Sequence, residues 1–245
     1  MKPPVAVVFV IAFSVLAISK AQAECTLATL NGPYGFHAHG FNLGGEERFA
    51  AVGFVTFDGK GGADIKIVTS RDGVIRRPAP FTARYDVNKD CTATIDGRGT
   101  GGNLQDMVIV DGGNEIRSLV REPSQAVWHA LYKKRTVEGC TADIMDGSWG
   151  YSLQGAILQG ESFREAAIMG WVTFNAKTGR LTGTELRNVG GELVTLNVDT
   201  TYTVNLDCTV ETAGLSYSAL LGNGSETFLM RTIDGWVVSG FPKKQ

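Results

Sequence analysis

One eight-residue motif occurs twice in this chain, and its repetition constrains the fold more than any other feature. It reads Tyr-Asp-Val-Asn-Lys-Asp-Cys-Thr at 85–92 and Tyr-Thr-Val-Asn-Leu-Asp-Cys-Thr at 202–209, so six of eight positions are identical. Shorter matches follow in the same order: 25–26 with 140–141, 32–35 with 147–150, 53–57 with 170–174, 119–121 with 229–231, and 133–134 with 243–244. Ordered matches over so much of the chain indicate an internal duplication.

The duplication predicts the domain organisation. We expect one repeat at 24–135 and a second at 140–245, joined by a short charged segment that ends just before Cys140. Each repeat has on the order of 100 residues, which is enough to build a hydrophobic core of its own.

The first 23 residues have the pattern of a secretory signal peptide. Lys2 is followed by an uncharged apolar run at 5–18 and by Ala21-Gln22-Ala23, a small-x-small cleavage site. The apolar run is short for a transmembrane span. We therefore expect cleavage before Glu24, no transmembrane span afterwards, and a secreted or periplasmic protein.

The net charge argues against a polyanionic partner. It is −2 for the whole chain, and loss of Lys2 and Lys20 with the leader makes the remainder more acidic. Nucleic acid and anionic membrane surfaces are normally met by a basic surface. The sequence predicts no nucleic-acid binding.

The duplication also selects a cysteine pairing. An exported chain with an even number of cysteines is expected to form disulfides. Each repeat has one cysteine at its start and one in the repeated motif. Repeats that fold independently would pair Cys25 with Cys91 and Cys140 with Cys208.

The apolar residues recur with a period of two, which is typical of half-buried strands. Tyr34, Phe36 and Ala38 share one face in the first repeat, as Trp149 and Tyr151 do in the second. Strands are predicted near 49–57, 63–70, 80–88, 91–96, 104–111, 115–121 and 126–132, and near 165–174, 180–188, 193–205, 208–213, 215–221, 226–232 and 235–241.

About eight short strands per repeat, joined by tight turns, favour an up-and-down meander that hides its edges by closing. We predict an all-β protein of two tandem antiparallel β-barrels, each locked by one disulfide. A single larger barrel or a sandwich is the alternative.

Three motifs together resemble those of a largely uncharacterised family of secreted bacterial proteins. They are Gly-x-Tyr-Gly at 32–35, Gly-Phe-Val-Thr-Phe-Asp-Gly-x-Gly at 53–61, and the motif at 85–92. The second repeat departs from them, with Trp149 for the tyrosine and Asn175-Ala176 for Asp-Gly. The resemblance implies a calycin-like barrel, related in shape to lipocalins and allene oxide cyclases, and supplies no catalytic residues.

Six aromatic residues are candidates for contact with a ligand inside a barrel. Phe54 and Trp171 are counterparts on a strand with large apolar groups on both faces, so they either line a cavity or cover a contact between the barrels or with a partner. The six candidates are Phe36, Tyr34, Phe54, Trp149, Tyr151 and Trp171.

His37 and His39 are candidate metal ligands, because residues two apart on a strand share a face. The second repeat has Ser152 and Gln154 there, and no third ligand is evident. No metal or cofactor is therefore predicted, and a polar strand face is the alternative explanation.

Arg121 and Arg231 end the matched Leu-x-Arg segments and could meet a ligand carboxylate, but pairing with Asp90 and Asp207 is the expectation. Gly97 to Gly102 fits a nucleotide-binding spacing, but a strand rather than a helix is expected to follow it. The loop is better explained as an insertion at a barrel end, where it could act as a lid.

No nucleophile, base and orienting group can be assembled from the sequence. The expected function is binding of a small apolar or amphipathic ligand by a non-enzymatic protein. The alternatives are a structural or interaction protein of the bacterial envelope or exterior, and an isomerase or cyclase built on the same barrel.

Overall fold

The computed structural model describes residues 24–43, 47–136, 139–213, 216–221 and 224–245. These residues form strands joined by short turns, with 3₁₀ turns at Leu27–Thr29, Asp111–Gly113 and Ala142–Ile144. The expected signal peptide lies outside the described residues and stays a prediction.

The first repeat forms a closed barrel of eight antiparallel strands. The nine strands of this sheet are β1 (Asn31–Asn42), β2 (Arg48–Asp58), β3 (Gly62–Arg71), β4 (Val74–Arg76), β5 (Phe81–Val87), β6 (Thr92–Asp96), β7 (Leu104–Val110), β8 (Glu115–Glu122) and β9 (Ala126–Lys134). Neighbours in sequence pair with one another, and β1 pairs with both β2 and β9, which closes the ring. β4 lies beside the end of β3, so β5 takes the next place in the ring.

The second repeat forms the same closed eight-stranded barrel. Its strands are β10 (Gly147–Gln159), β11 (Ser162–Asn175), β12 (Arg180–Val189), β13 (Glu192–Val204), β14 (Thr209–Thr212), β15 (Ser216–Leu221), β16 (Glu226–Arg231), β17 (Trp236–Gly240) and β18 (Lys243–Lys244). β10 pairs with β11 and β17, and the short β18 adds to β10 and β16.

The disulfide pairing predicted from the duplication is confirmed, because Cys25 bonds to Cys91 and Cys140 to Cys208. Each bond joins the start of a repeat to the turn that ends its repeated motif. Cys91 and Cys208 both have a φ of 66°, in the left-handed region that tight turns use. The repeated motif is therefore a strand followed by an anchored turn.

Hydrogen bonds from the motif explain why its polar residues recur. Asn88 Nδ2 donates to Thr92 Oγ1 (2.9 Å), and Asn205 Nδ2 donates to Thr209 Oγ1 (2.7 Å). Asp90 Oδ1 accepts from the amide nitrogen of Thr92 at 3.0 Å. These bonds satisfy backbone and side-chain groups where the chain reverses between two strands.

Strand register corrects one match of the sequence repeat. In the first barrel, Leu119 pairs with His129, which in turn pairs with His39. In the second, Met230 pairs with Ser239, which pairs with Gln154, the counterpart of His39 in the repeat. Leu119 is thus the counterpart of Met230, and Val120, rather than Arg121, is the counterpart of Arg231. A slip of one residue moves a side chain to the other face of a strand, so Arg231 faces the interior while Arg121 faces outward.

The two barrels pack against each other through their outer walls. Ala50, Val52 and Phe54 on β2 form a buried cluster with Phe228 and Met230 on β16. Ser70 Oγ donates to the carbonyl oxygen of Trp236 (2.7 Å), and Gly235 N donates to that of Gly73 (2.9 Å). The apolar cluster explains why this part of β2 has large side chains on both faces.

Candidate functional site

A cavity of about 550 Å³ occupies one half of the first barrel. Apolar side chains from several strands form its walls: Phe36, Ala38, Phe49, Ile65, Ile67, Ala83, Ile95 and Ala130. The other half of the barrel is filled by Leu30, Tyr34 and Phe57, none of them more than 1% exposed. The cavity is therefore accessible from one end only.

Polar and charged side chains surround the mouth of this cavity. Asn42 Nδ2 donates to Glu47 Oε2 (2.5 Å), and Arg71 Nη1 lies 3.1 Å from Glu47 Oε1. Arg76, on the short strand β4, also lines the cavity and is exposed. Two guanidinium groups against one carboxylate make the mouth cationic.

The glycine-rich loop at 97–103 lies at the same mouth. The carbonyl oxygen of Gly97 accepts from the amides of Thr100 (3.0 Å) and Gly102 (2.8 Å). Thr100 Oγ1 donates to the carbonyl oxygen of Thr82 on β5. The expected insertion thus forms an ordered turn beside the opening and does not form a nucleotide-binding loop, because β7 follows it.

One polar group projects into the apolar wall. Gln105 Oε1 accepts from Ser118 Oγ (2.6 Å) and from Tyr132 Oη (3.0 Å), while its Nε2 donates to Asn103 Oδ1 (2.8 Å). Burial raises the pKa of Tyr132 to about 12, so its hydroxyl stays protonated at neutral pH. This network holds the Gln105 amide in one orientation.

The second barrel has a smaller cavity of about 240 Å³ with a different lining. Its apolar walls include Trp149, Val172, Phe174, Leu181 and Val198. Trp236 is the counterpart of Ala126, since Ile157 pairs with Trp236 where Asn42 pairs with Ala126. Replacement of a small side chain by this indole is one reason why the second cavity is smaller.

A buried cluster of charged groups projects into the second cavity. Glu185 is 0% exposed and accepts hydrogen bonds from Tyr151 Oη (2.5 Å), Arg231 Nη2 and Arg187 Nε. Both guanidinium groups lie over the ring of Trp236, at 5.2 Å for Arg187 and 6.0 Å for Arg231. Both arginines line the cavity.

The protonation states of this cluster follow from its contacts. Burial, followed by the hydrogen bond to Glu185, raises the pKa of Tyr151 well above its usual value, so the phenol is neutral. Burial lowers the pKa of Arg231, but a guanidinium stays charged at neutral pH. Three donors already occupy the Glu185 carboxylate, which suits it to orienting the arginines rather than to removing a proton.

The first barrel has less polar residues at all four positions of this cluster. In the first barrel Phe36 pairs with Gly53, which pairs with Ile67, and in the second Tyr151 pairs with Gly170, which pairs with Glu185. The residues of the first barrel that correspond to Tyr151, Glu185, Arg187 and Arg231 are therefore Phe36, Ile67, Thr69 and Val120. The barrel fold therefore does not require the charged cluster.

The structure separates the six aromatic candidates. Phe36 lines the first cavity, and Trp149 and Tyr151 line the second. Tyr34 lies in the filled half of its barrel, where its hydroxyl donates to the carbonyl oxygen of Gly113. Ligand contact by any of these residues stays a prediction.

Phe54 and Trp171 lie outside the two cavities. Phe54 packs in the contact between the barrels, with Arg135 Cζ 4.2 Å from its ring centroid. Trp171 is on the outer face of β11 and is 54% exposed. The sequence left open whether Phe54 and Trp171 line a cavity or face outward, and the structure shows that they face outward. The inward-facing residues of the same strands are Val55 with Phe57 and Val172 with Phe174.

The histidines gather on the outer wall of the first barrel. The ring centroids of His37 and His39 are 5.8 Å apart, and those of His39 and His129 are 4.3 Å apart. Among the residues that the structure describes, no group of three or more His, Cys, Asp or Glu side chains could hold a metal ion. His37 instead packs in the contact between the barrels, on Phe228.

The prediction that Arg121 and Arg231 pair with Asp90 and Asp207 is wrong. Arg121 Nη1 lies 3.1 Å from Asp106 Oδ1, on the neighbouring strand β7. Arg231 bonds to Glu185 rather than to Asp207. Asp207 lies in a turn and binds Lys66 of the other barrel at 2.5 Å.

Sequence reasoning missed Glu185, Arg187 and Gln105. A signal was present in β12, where a glutamate and an arginine two residues apart share the face of buried Leu181. Charged residues at that spacing are ordinary on an outward face, so alternation alone does not locate them.

No helix among the described residues is long and apolar enough to cross a membrane.

Comparisons with known proteins identify no family. No protein-family model matches this chain, and no curated protein matches it. Among solved structures, a Nitrosomonas europaea protein provisionally assigned as AttH is 8% identical, with a TM-score of 0.29, over 87% of this chain and 92% of that one. A likeness this weak carries no functional argument, so the two cavities have to be interpreted from their own geometry.

Proposed function

We propose that the protein is an exported, non-enzymatic binding protein whose first barrel holds one small amphipathic molecule. The observation that supports this most directly is the cavity of about 550 Å³, open at one end of that barrel. Small-molecule sites typically have volumes of roughly 300 to 1,000 Å³ and mostly apolar linings with a few polar groups.

The distribution of polarity indicates the orientation of the ligand. The apolar walls, including Phe36 and Ile67, would cover its hydrophobic body, which is favourable by about 25 cal/mol for each Å² removed from water. Arg71 and Arg76 at the mouth would contact a polar or anionic end. The Gln105 amide would supply one oriented contact within the wall.

The second barrel supports the idea that this cavity is not a general property of the fold. It has Leu153 where the first barrel has Ala38, and Trp236 where the first has Ala126. Two small side chains thus keep open a volume that larger ones reduce in the other copy. Two disulfides support export, since such bonds persist in oxidising compartments.

Titration with anilinonaphthalene sulfonate, an aromatic body with one sulfonate, would test the proposal by fluorescence. Ala126→Trp gives the first barrel the indole of the second, so we expect affinity to fall by about tenfold or more, which is about 1.4 kcal/mol. Val127→Trp adds the same side chain one residue further on, facing outward, and is the matched control.

Native mass spectrometry of the purified protein gives a second readout, because a tightly held natural ligand would add mass. Equal probe affinity in Ala126→Trp and Val127→Trp, with both variants folded, would argue against this cavity as the site. Absence of probe binding by the wild-type protein would remove the proposal.

A further inference from the structure

We propose that the second barrel contains a separate site for a small organic carboxylate, which binds with its charged end against Arg187 and Arg231. The inference is independent of the first cavity, because it concerns another barrel and another chemistry. It rests on the charge, the free donors and the shape of the second cavity.

The cluster has an unbalanced positive charge. Glu185 contributes one negative charge and the two arginines one positive charge each, while Tyr151 is neutral. Asp199 is an acidic residue in the cavity lining, but its side chain is exposed and paired with Arg180 at 2.5 Å. A single excess charge beside the buried Arg231 side chain favours a monoanion, since charges interact more strongly when they are removed from water.

The two arginines also have donors to spare. A guanidinium has five N–H groups. Among the described residues, Arg187 donates through Nε and Arg231 through Nη2, both to Glu185. Arg231 Nε is buried and has no hydrogen-bond partner among the described residues. The Arg231 side chain as a whole is only 9% exposed, so water does not readily supply that partner. Buried polar groups normally find partners, and a ligand carboxylate would supply acceptors of the right geometry.

The rest of the cavity limits the ligand to a short body, for which the lining offers mostly apolar contacts. Its volume of about 240 Å³ lies below the usual range for drug-sized ligands. Trp149, Phe174 and Leu181 form an apolar floor. A single aromatic ring or a short alkyl chain with one carboxylate matches this combination.

A purely structural role explains the cluster less well. The first barrel builds the same eight strands with Phe36, Ile67, Thr69 and Val120 at these positions. Buried ion pairs are often no more stabilising than apolar side chains of similar volume. Their presence in one copy therefore points to a task that the other copy does not have.

Isothermal titration with benzoate, and with benzamide as an uncharged analogue of the same shape, tests the site. We expect benzoate to bind about tenfold or more tightly than benzamide, because hydrogen bonds to charged groups are the stronger ones. Inorganic phosphate is expected to bind more weakly than benzoate, since it does not use the apolar floor. Equal binding of benzoate and benzamide, or none by benzoate, would overturn the inference.

The decisive variant gives the second barrel the residues of the first at the three charged positions of the cluster: Glu185→Ile, Arg187→Thr and Arg231→Val together. It is expected to fold and to lose benzoate binding by about tenfold or more. Arg187→Thr alone, at a partly exposed side chain, gives the same test if the triple variant does not fold. Benzoate affinity that is unchanged in a folded variant would overturn the inference.

Two controls separate this site from its surroundings. Lys177→Thr removes an exposed cation of the second barrel that does not line this cavity, and it should leave benzoate affinity unchanged. Ala126→Trp, which narrows the first cavity, should also leave it unchanged. If Ala126→Trp abolished benzoate binding, the carboxylate would be bound in the first barrel, and the present inference would fail while the first proposal survived.

Discussion

The imidazole of His37 in the first barrel stacks on the phenyl ring of Phe228 in the second, with ring centroids 4.8 Å apart. Its Nδ1 lies 3.4 Å from Ser239 Oγ, also in the second barrel. Burial, with smaller contributions from His39 and His129, lowers the pKa of His37 to about 3. The contact between the barrels therefore favours a neutral histidine.

The free energy of unfolding should consequently depend on pH. Between the ordinary histidine pKa of about 6.5 and the folded value, the unfolded chain binds more protons than the folded one. The contribution of His37 is thus fully present above about pH 6.5 and is lost progressively as the pH falls towards 3. We expect His37→Gln to lose less stability than the wild type between pH 7.5 and 5.0.

Urea unfolding at several pH values measures this effect, and the difference between wild type and variant removes the contribution of carboxylates. Val127→Gln introduces the same side chain at an exposed position of β9, away from the contact between the barrels, and this control should follow the wild type. Parallel pH profiles for wild type and His37→Gln would contradict the prediction.

Two equivalent tyrosines provide a matched test of a buried hydroxyl. Tyr85 Oη donates to the carbonyl oxygen of Leu30 (2.9 Å), whereas Tyr202 Oη is buried without a partner among the described residues. In the second barrel, Trp149 Nε1 donates to Met145 O, the counterpart of the Leu30 carbonyl, at 2.8 Å. Tyr85→Phe should cost about 1 to 3 kcal/mol, and Tyr202→Phe should be neutral or stabilising. Chemical denaturation would show this, and equal losses would speak against it.

Each disulfide should stabilise its own barrel by a similar amount. The bonds span 66 and 68 residues, and loops of this size correspond to roughly 4 kcal/mol in the chain-entropy model. We expect the double variants Cys25→Ala/Cys91→Ala and Cys140→Ala/Cys208→Ala to lose about this much in guanidinium unfolding. A loss confined to one pair would show that the barrels do not depend equally on their crosslinks.

The contact between the barrels should couple their unfolding. Phe228 is 0% exposed in the apolar cluster that also contains Val52 and Met230. Phe228→Ala should cost about 3 to 5 kcal/mol and turn one calorimetric transition into two. Met169→Ala, at an exposed apolar residue of β11, is the control and should change stability by less than about 0.5 kcal/mol. A single transition in folded Phe228→Ala would mean that other contacts couple the barrels.

Much of the architecture could be predicted from local patterns. Alternation at Tyr34, Phe36 and Ala38 predicted an inward face, and the position of Cys91 in a repeated motif predicted its pairing. These inferences succeeded because a strand shows its two faces in sequence and a duplication limits the possible pairings. The histidines could not be interpreted this way, since their environment is formed by side chains about 200 residues away in sequence, such as Ser239 (202 residues from His37) and Phe228.

The sequence by itself determined that the fold is all-β and duplicated, and it predicted two barrels and the partners of all four cysteines, because these follow from periodicity and repetition within the chain. Only the tertiary structure decided which copy has the larger cavity and which has the charged one. Arg231 shows the reason: it matches Arg121 in the letters but Val120 in the strand register, and a shift of one residue exchanges the outside of a barrel for its interior.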